Sequence, residues 1–114
     1  DLLIDVEADE LAMDLPFDDN LMVIDVRNEP EYASGHVVGA HHLPLTDMTD
    51  LAKLAMLPPE ANLYIHCAGG YRSVIASSLL KRQGVHNLRN VTGGWASIKE
   101  QEKIPTEKDK RVLN

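Results

Sequence analysis

The sequence is short of several things: it has one cysteine, one tryptophan and one phenylalanine, and aromatics make up 4% of it. Each scarcity excludes something. A lone thiol, Cys67, rules out an intramolecular disulfide and any zinc site built from several thiolates, and it leads us to expect a reducing, cytoplasmic setting. Few aromatics, a net charge of −7 and bases dispersed rather than run together exclude the basic stripe and stacking platform of a nucleic-acid binder. No apolar run approaches the roughly 18 residues that span a bilayer, so no membrane partner is expected.

What is present is an ordinary globular composition, 44% hydrophobic and 25% charged over 114 residues. A chain of this size forms one domain and buries roughly two-thirds of its unfolded surface, so it needs neither staple nor metal. Acids crowd the first half, where Arg27 is the sole base before residue 50, and bases crowd the second. We read the asymmetry as a solvated surface. A basic, apolar leader is missing at the start and the chain opens on Asp1, from which we expect a domain excised from a longer protein. Residues 1–101 form that domain in our reading, and the charged stretch 102–114 is a loose tail or linker.

The hydrophobic pattern predicts strands alternating with helices. A short helix runs from Asp9 to Leu15, stopped by Pro16, and Leu21 to Val26 is a continuous apolar run of the kind found in strands buried on both faces. Glu29 to Ala33 suits a first helical turn, with Pro30 tolerated there and acids at the positive end of the dipole. Gly35 to Pro44 reads as loop plus a short strand, Leu51 to Leu57 as a modest helix, and Leu63 to Cys67 as a second buried strand. Ser73 to Gln83 is a helix with Ile75, Leu79 and Leu80 on one face. Gly84 is its left-handed stop, which sets Leu80 against Val85. Val85 to Val91 is a third strand, and Trp95 to Gln101 a last helix after Gly93 and Gly94. This order predicts an α/β domain with a central parallel sheet and helices on both faces.

The stretch His66-Cys67-Ala68-Gly69-Gly70-Tyr71-Arg72-Ser73 carries the chemistry. It sets the thiol at the carboxyl end of a buried strand and the amino end of a helix, where backbone N–H groups turn toward an anion. A thiolate there is stabilised by those amides, by the helix dipole and by Arg72, so Cys67 is a reactive nucleophile rather than an inert core residue. His66, its neighbour in a strand, points to the opposite face and cannot serve as its base. Asp25 and Arg27 end the first central strand on the same edge and are candidate borders of the pocket. An Arg27–Glu31 ion pair and backbone hydrogen bonds to Asp25 are their expected structural roles. His36, His41 and His42 lack a partner at ligand spacing, so packing is expected of them and no metal site. Trp95 is expected to anchor the core beneath the loop.

These residues resemble the rhodanese-like sulfurtransferase domain across roughly Asp5 to Gln101. The resemblance is carried by Val23 to Tyr32 followed by Gly35 to Ala40, by the cysteine loop, and by Asn90-Val91-Thr92-Gly93-Gly94-Trp95. It implies a rhodanese fold and transfer of sulfane sulfur through a persulfide on Cys67, with Ala68, Gly69, Gly70, Tyr71, Arg72 and Ser73 forming the substrate loop. The loop wording is also similar to rhodanese domains fused behind a metallo-β-lactamase-type persulfide dioxygenase, which implies a fused or associated sulfur-metabolism domain. A small sulfur donor and a thiophilic acceptor are the implied partners, and no cofactor is implied. Phosphatases and arsenate reductases of the same fold use a loop one residue longer, so the short Cys67-to-Arg72 loop disfavours them. The intact thiol disfavours a non-catalytic interaction module.

Overall fold

The computed structural model describes residues 3–109. Its elements, in chain order, are β1 (Asp5–Val6), α1 (Ala8–Asp14), β2 (Leu21–Asp25), α2 (Glu29–Ser34), β3 (His36–Val37), β4 (His41–His42), α3 (Leu51–Leu54), β5 (Asn62–His66), α4 (Arg72–Arg82), β6 (Leu88–Val91), α5 (Gly94–Ile98) and β7 (Thr106–Glu107). Five strands form one parallel sheet in the order β1-β6-β5-β2-β4. The central strand is β5, so the residue that follows it emerges in the middle of the sheet's carboxyl edge. Cys67 is that residue.

Alternation along the strands divides the core in two. Ile24, Ile65, Leu63 and Leu88 pack with Ala76 and Leu80 of α4 and Leu54 of α3, whereas Val23, Tyr64 and Val91 pack with Leu11 of α1 and Ile98 of α5. Successive strand residues thus serve opposite faces, each covered by helices, as expected for a parallel sheet. Among the described residues no helix is long and apolar enough to cross a membrane.

The buried stripe of α4 differs from the expected one. Ser73, Ala76, Ser77 and Leu80 are buried, while Ile75 is 48% exposed. Three small residues bring the helix close to the sheet, and the Ser77 hydroxyl satisfies itself by donating to the Ser73 carbonyl at 2.7 Å. The helix ends as expected, with Gly84 at φ +91°. The Val85 N–H donates to the Leu80 carbonyl at 3.0 Å and the Gly84 N–H to that of Lys81 at 3.0 Å, the paired bonds of a Schellman stop. The helix expected over Leu51 to Leu57 is confined to Leu51–Leu54, opened by Asp50, whose carboxylate accepts from the amides of Ala52 and Lys53.

The expected loose tail is also corrected. Thr106–Glu107 pairs antiparallel with His36–Val37, the Val38 N–H donates to the Pro105 carbonyl, and His36 Nε2 lies 3.2 Å from the Glu107 carboxylate. Ile104, 3% exposed, explains the docking, because it enters the α1 and α5 side of the core. Residues 110–114 of that tail lie outside the described residues.

At Gly84 an added Cβ meets nothing within 4 Å, so only the left-handed backbone opposes a side chain there. Gly84→Ala should therefore cost about 1 kcal/mol and no more, read as a shift in urea midpoint with unchanged slope.

Candidate active site

The thiol is held by two elements. The segment Cys67 to Tyr71 turns from β5 into α4, and α5 presses on it from the side. The Trp95 N–H donates to the Cys67 carbonyl at 2.7 Å and the Ala96 N–H to the Ala68 carbonyl at 3.3 Å. With those carbonyls committed to α5, the loop's own N–H groups turn toward the sulfur. The approach is so close that only glycine fits at its centre. A Cβ on Gly94, whose φ is +52°, would overlap the Cys67 carbonyl oxygen and lie 2.8 Å from the Gly69 nitrogen.

Cys67 is 1% exposed, and burial alone pushes its thiol up. The Ser73 hydroxyl, 3.5 Å from Sγ, and the amides of Ser73, Gly69 and Gly70 pull it down and prevail, leaving the thiol below its ordinary value. The 11-residue helix α4, which starts at the loop, adds its positive end. A cleft of about 410 Å³ opens above the sulfur and is lined by Gly70, Tyr71, Ser73, Val74 and Gly94 on the loop side. Tyr71 stands at its rim, 81% exposed.

Arg72 does not line that cleft. Its guanidinium makes a two-pronged pair with Glu31 of α2, at 2.6 and 2.9 Å. Glu31 also closes the N-terminal capping box of α2 with Asn28. The carboxyl is held down to about 2, first by Arg72 and then by the Asn28 amide, against partial burial. This pair ties α2 to the end of the cysteine loop and replaces the Arg27–Glu31 pair expected from spacing. Arg27 precedes the helix, outside Asn28, so the four-residue helical spacing does not apply to it.

Asp25 and Arg27 are 0% and 3% exposed, and neither lines the cleft. They form a layer under the opposite face. Asp25 accepts from Arg27 Nε at 2.9 Å, from Arg27 Nη2 at 2.7 Å and from the Arg27 amide at 3.1 Å. The same guanidinium donates to the Gly35 carbonyl at 2.6 Å and stacks 4.7 Å above the Trp95 ring. Burial raises the Asp25 carboxyl, but these bonds and the charge of Arg27 hold it below its usual value. His66 is also fully buried here, with Nδ1 3.0 Å from the Cys67 carbonyl and Nε2 3.6 Å from Asp25. Burial depresses its ring, outweighing Asp25, so the imidazole stays neutral. Trp95 therefore anchors the loop from below, through both its amide and its ring.

His36 and His42 pack. Tyr32 lies between His36 and His42, with ring centroids 3.9 and 4.2 Å away, and His36 and His42 each bond a backbone carbonyl. Among the described residues no group of His, Cys, Asp and Glu converges on a metal-sized site. Sequence reasoning missed Glu31 as the partner of Arg72, and it missed Asp5 and Asn90, which line the cleft wall opposite the loop. The capping-box spacing of Asn28 and Glu31 was the one available signal, and it points to the helix rather than to the loop.

Residues 7–101 match the family described as "Rhodanese-like domain". The thiosulfate sulfurtransferase GlpE of Pseudomonas fluorescens is 32% identical over 74 residues, covering 65% of this chain and 66% of the relative. A sulfurtransferase of Allochromatium vinosum is 26% identical over 95 residues, covering 81% and 87% respectively. The solution structure of the rhodanese-like domain of an Anabaena protein superposes with a TM-score of 0.83 at 27% identity, covering 99% of this chain and 86% of that one. The chain spans 40% to 66% of the length of the first curated relatives it matches.

The site generates two expectations. Ser73→Ala should raise the thiol's ionisation midpoint and slow alkylation of Cys67 by iodoacetamide at neutral pH, measured as rate against pH; an unmoved midpoint contradicts the role given to the hydroxyl. Glu31, depressed from 4.5 to about 2, stabilises the fold fully above its unfolded value, and that contribution fades as pH falls toward 2. Glu31→Gln should therefore lower stability by about 1 kcal/mol at pH 7, a screened, partly exposed pair, and the gap between the chains should close in acid.

Proposed function

Since the chain belongs to the rhodanese-like domain family, we propose that it is a sulfurtransferase moving sulfane sulfur from thiosulfate or a small persulfide to a thiophilic acceptor through a persulfide on Cys67. The observation that carries this reading is the thiol itself. It sits at the end of the central strand, lowered by the Ser73 hydroxyl and the loop amides, under a cleft that admits a small molecule.

In the first step the Cys67 thiolate attacks the outer sulfur of the donor. With thiosulfate the S–S bond breaks and its electron pair leaves on sulfite, so two charges depart with the leaving group and Cys67 keeps one extra sulfur and one negative charge. The amides of Gly69, Gly70 and Ser73, which bond the Cys67 sulfur, are then the donors at hand for the charge on the added sulfur. Donors fixed in advance hold that charge without reorganisation. In the second step a thiolate or comparable nucleophile attacks the outer sulfur, and the bond pair returns to Cys67. No step needs a general base, which fits His66 being turned away and neutral. Arg72 acts on the loop through its bond to Glu31 rather than on the cleft.

Names of relatives support the reaction class. The Pseudomonas protein is named a thiosulfate sulfurtransferase and the Allochromatium protein a sulfurtransferase. The test is direct. Incubated with thiosulfate or with glutathione persulfide and weighed intact, the protein should gain one sulfur atom, and Cys67→Ser should gain none. Equal uptake by both chains would remove Cys67 from the mechanism.

A further inference from the structure

The cleft over Cys67 has an unequal charge. None of the described residues lining it is a lysine or arginine, while its wall on the β1 and β6 side carries Asp5 and Asn90. Arg72, the cation of the loop, is occupied by Glu31. Asn90 stands in register with Asp5 on one side and Ile65 on the other. In a parallel ladder all three side chains share one face, the face on which Cys67, two residues beyond Ile65, also lies. The Asn90 amide nitrogen donates to the Asp5 carboxylate at 3.1 Å. That fixes the amide's orientation and leaves its oxygen, in a side chain only 5% exposed, with no donor. A buried acceptor left so is unfavourable, and a donor-bearing ligand would satisfy it. The carboxylate beside it asks for a donor with positive charge.

We propose that the Asp5–Asn90 wall receives the ammonium group of a small aminothiol, which is the acceptor of the sulfur held by Cys67. The inference rests on the sulfurtransferase reading and deepens it. An ammonium supplies three N–H donors and one charge, enough for the Asn90 oxygen and the Asp5 carboxylate together. Distance agrees. One strand across and two residues along, the Asn90 backbone lies about 8 Å from that of Cys67 by ordinary sheet spacings, a span suited to one transferred sulfur plus a two-carbon aminothiol. Val74 and Leu3, also on the cleft, offer apolar contact to the carbon stem. The step balances. The aminothiolate attacks the outer sulfur of the persulfide anion Cys67–S–S⁻, the S–S bond to Cys67 breaks with its pair returning to Sγ, and the charge already on the outer sulfur leaves with it, giving the aminothiol persulfide anion and the Cys67 thiolate.

The test uses the whole chain, loaded with sulfur from thiosulfate or glutathione persulfide and confirmed by intact mass, then discharged by cysteamine or by N-acetylcysteamine, which lacks the charge. The ratio of the two discharge rates should fall about tenfold in Asp5→Asn, the change expected on losing a charge-assisted bond. A second measurement needs no variant: S-methylcysteamine, which cannot accept sulfur, should slow discharge to cysteamine, and its N-acetyl derivative should not. A loaded persulfide with the same ratio in both chains, or equal effects of the two competitors, would overturn the aminothiol assignment alone. Failure of the parent chain to load would overturn the sulfurtransferase reading and this inference with it.

Discussion

The setting of the Cys67 thiol depends on two hydrogen bonds made by the amino end of α5. The amides of Trp95 and Ala96 belong to α5, yet they are spent on the carbonyls of Cys67 and Ala68 rather than on a ligand. A loop whose carbonyls are claimed from outside must present its amides inward. The thiol of Cys67 is buried, and burial on its own would make it a poorer nucleophile. Its ionisation therefore depends on the loop's amides and the Ser73 hydroxyl, which in turn depend on α5 coming within reach. Gly94 is the condition for that approach, because any side chain there would strike the loop backbone.

Below the loop, the fold commits charged groups to architecture. Asp25, Arg27 and His66 are buried together, and Arg27 spans from the Asp25 carboxylate to the Gly35 carbonyl while stacking on Trp95. A buried pair of this kind is costly to desolvate, and its value here is positional, because it fixes the ring whose amide holds Cys67. Glu31 does comparable work from the side by gripping Arg72. Charge complementarity between the acid-rich first half and the base-rich second half is thus not only a solvated surface, since at this pair it crosses the site.

Such a division leaves the cleft itself without a described cation and with an acidic wall. The groups nearest the sulfur are backbone amides, and the charge on the more distant wall is negative.

Much of this was legible in the sequence because it depended on local rules. Apolar runs at Leu21 and Leu63 announced buried parallel strands, Gly84 announced its helix stop, and the step from strand to glycines to helix announced the thiol's setting. Local patterns failed where a partner came from far along the chain. Ile75 scored as core by periodicity, yet the small stripe of Ser73, Ala76 and Ser77 faces the sheet because it permits closer packing. The tail looked linker-like by charge, but Ile104 and the pairing of Thr106–Glu107 with His36–Val37 hold it to the fold through its described part. By itself the sequence determined the buried strands, the place of the thiol and the loop that follows it, since each is written in neighbouring residues. Only the tertiary structure decided that Glu31 would hold Arg72, that α5 would turn the loop inward, and that Asp5 and Asn90 would face the cleft, because those contacts join strands and helices whose adjacency is set by packing and not by order along the chain.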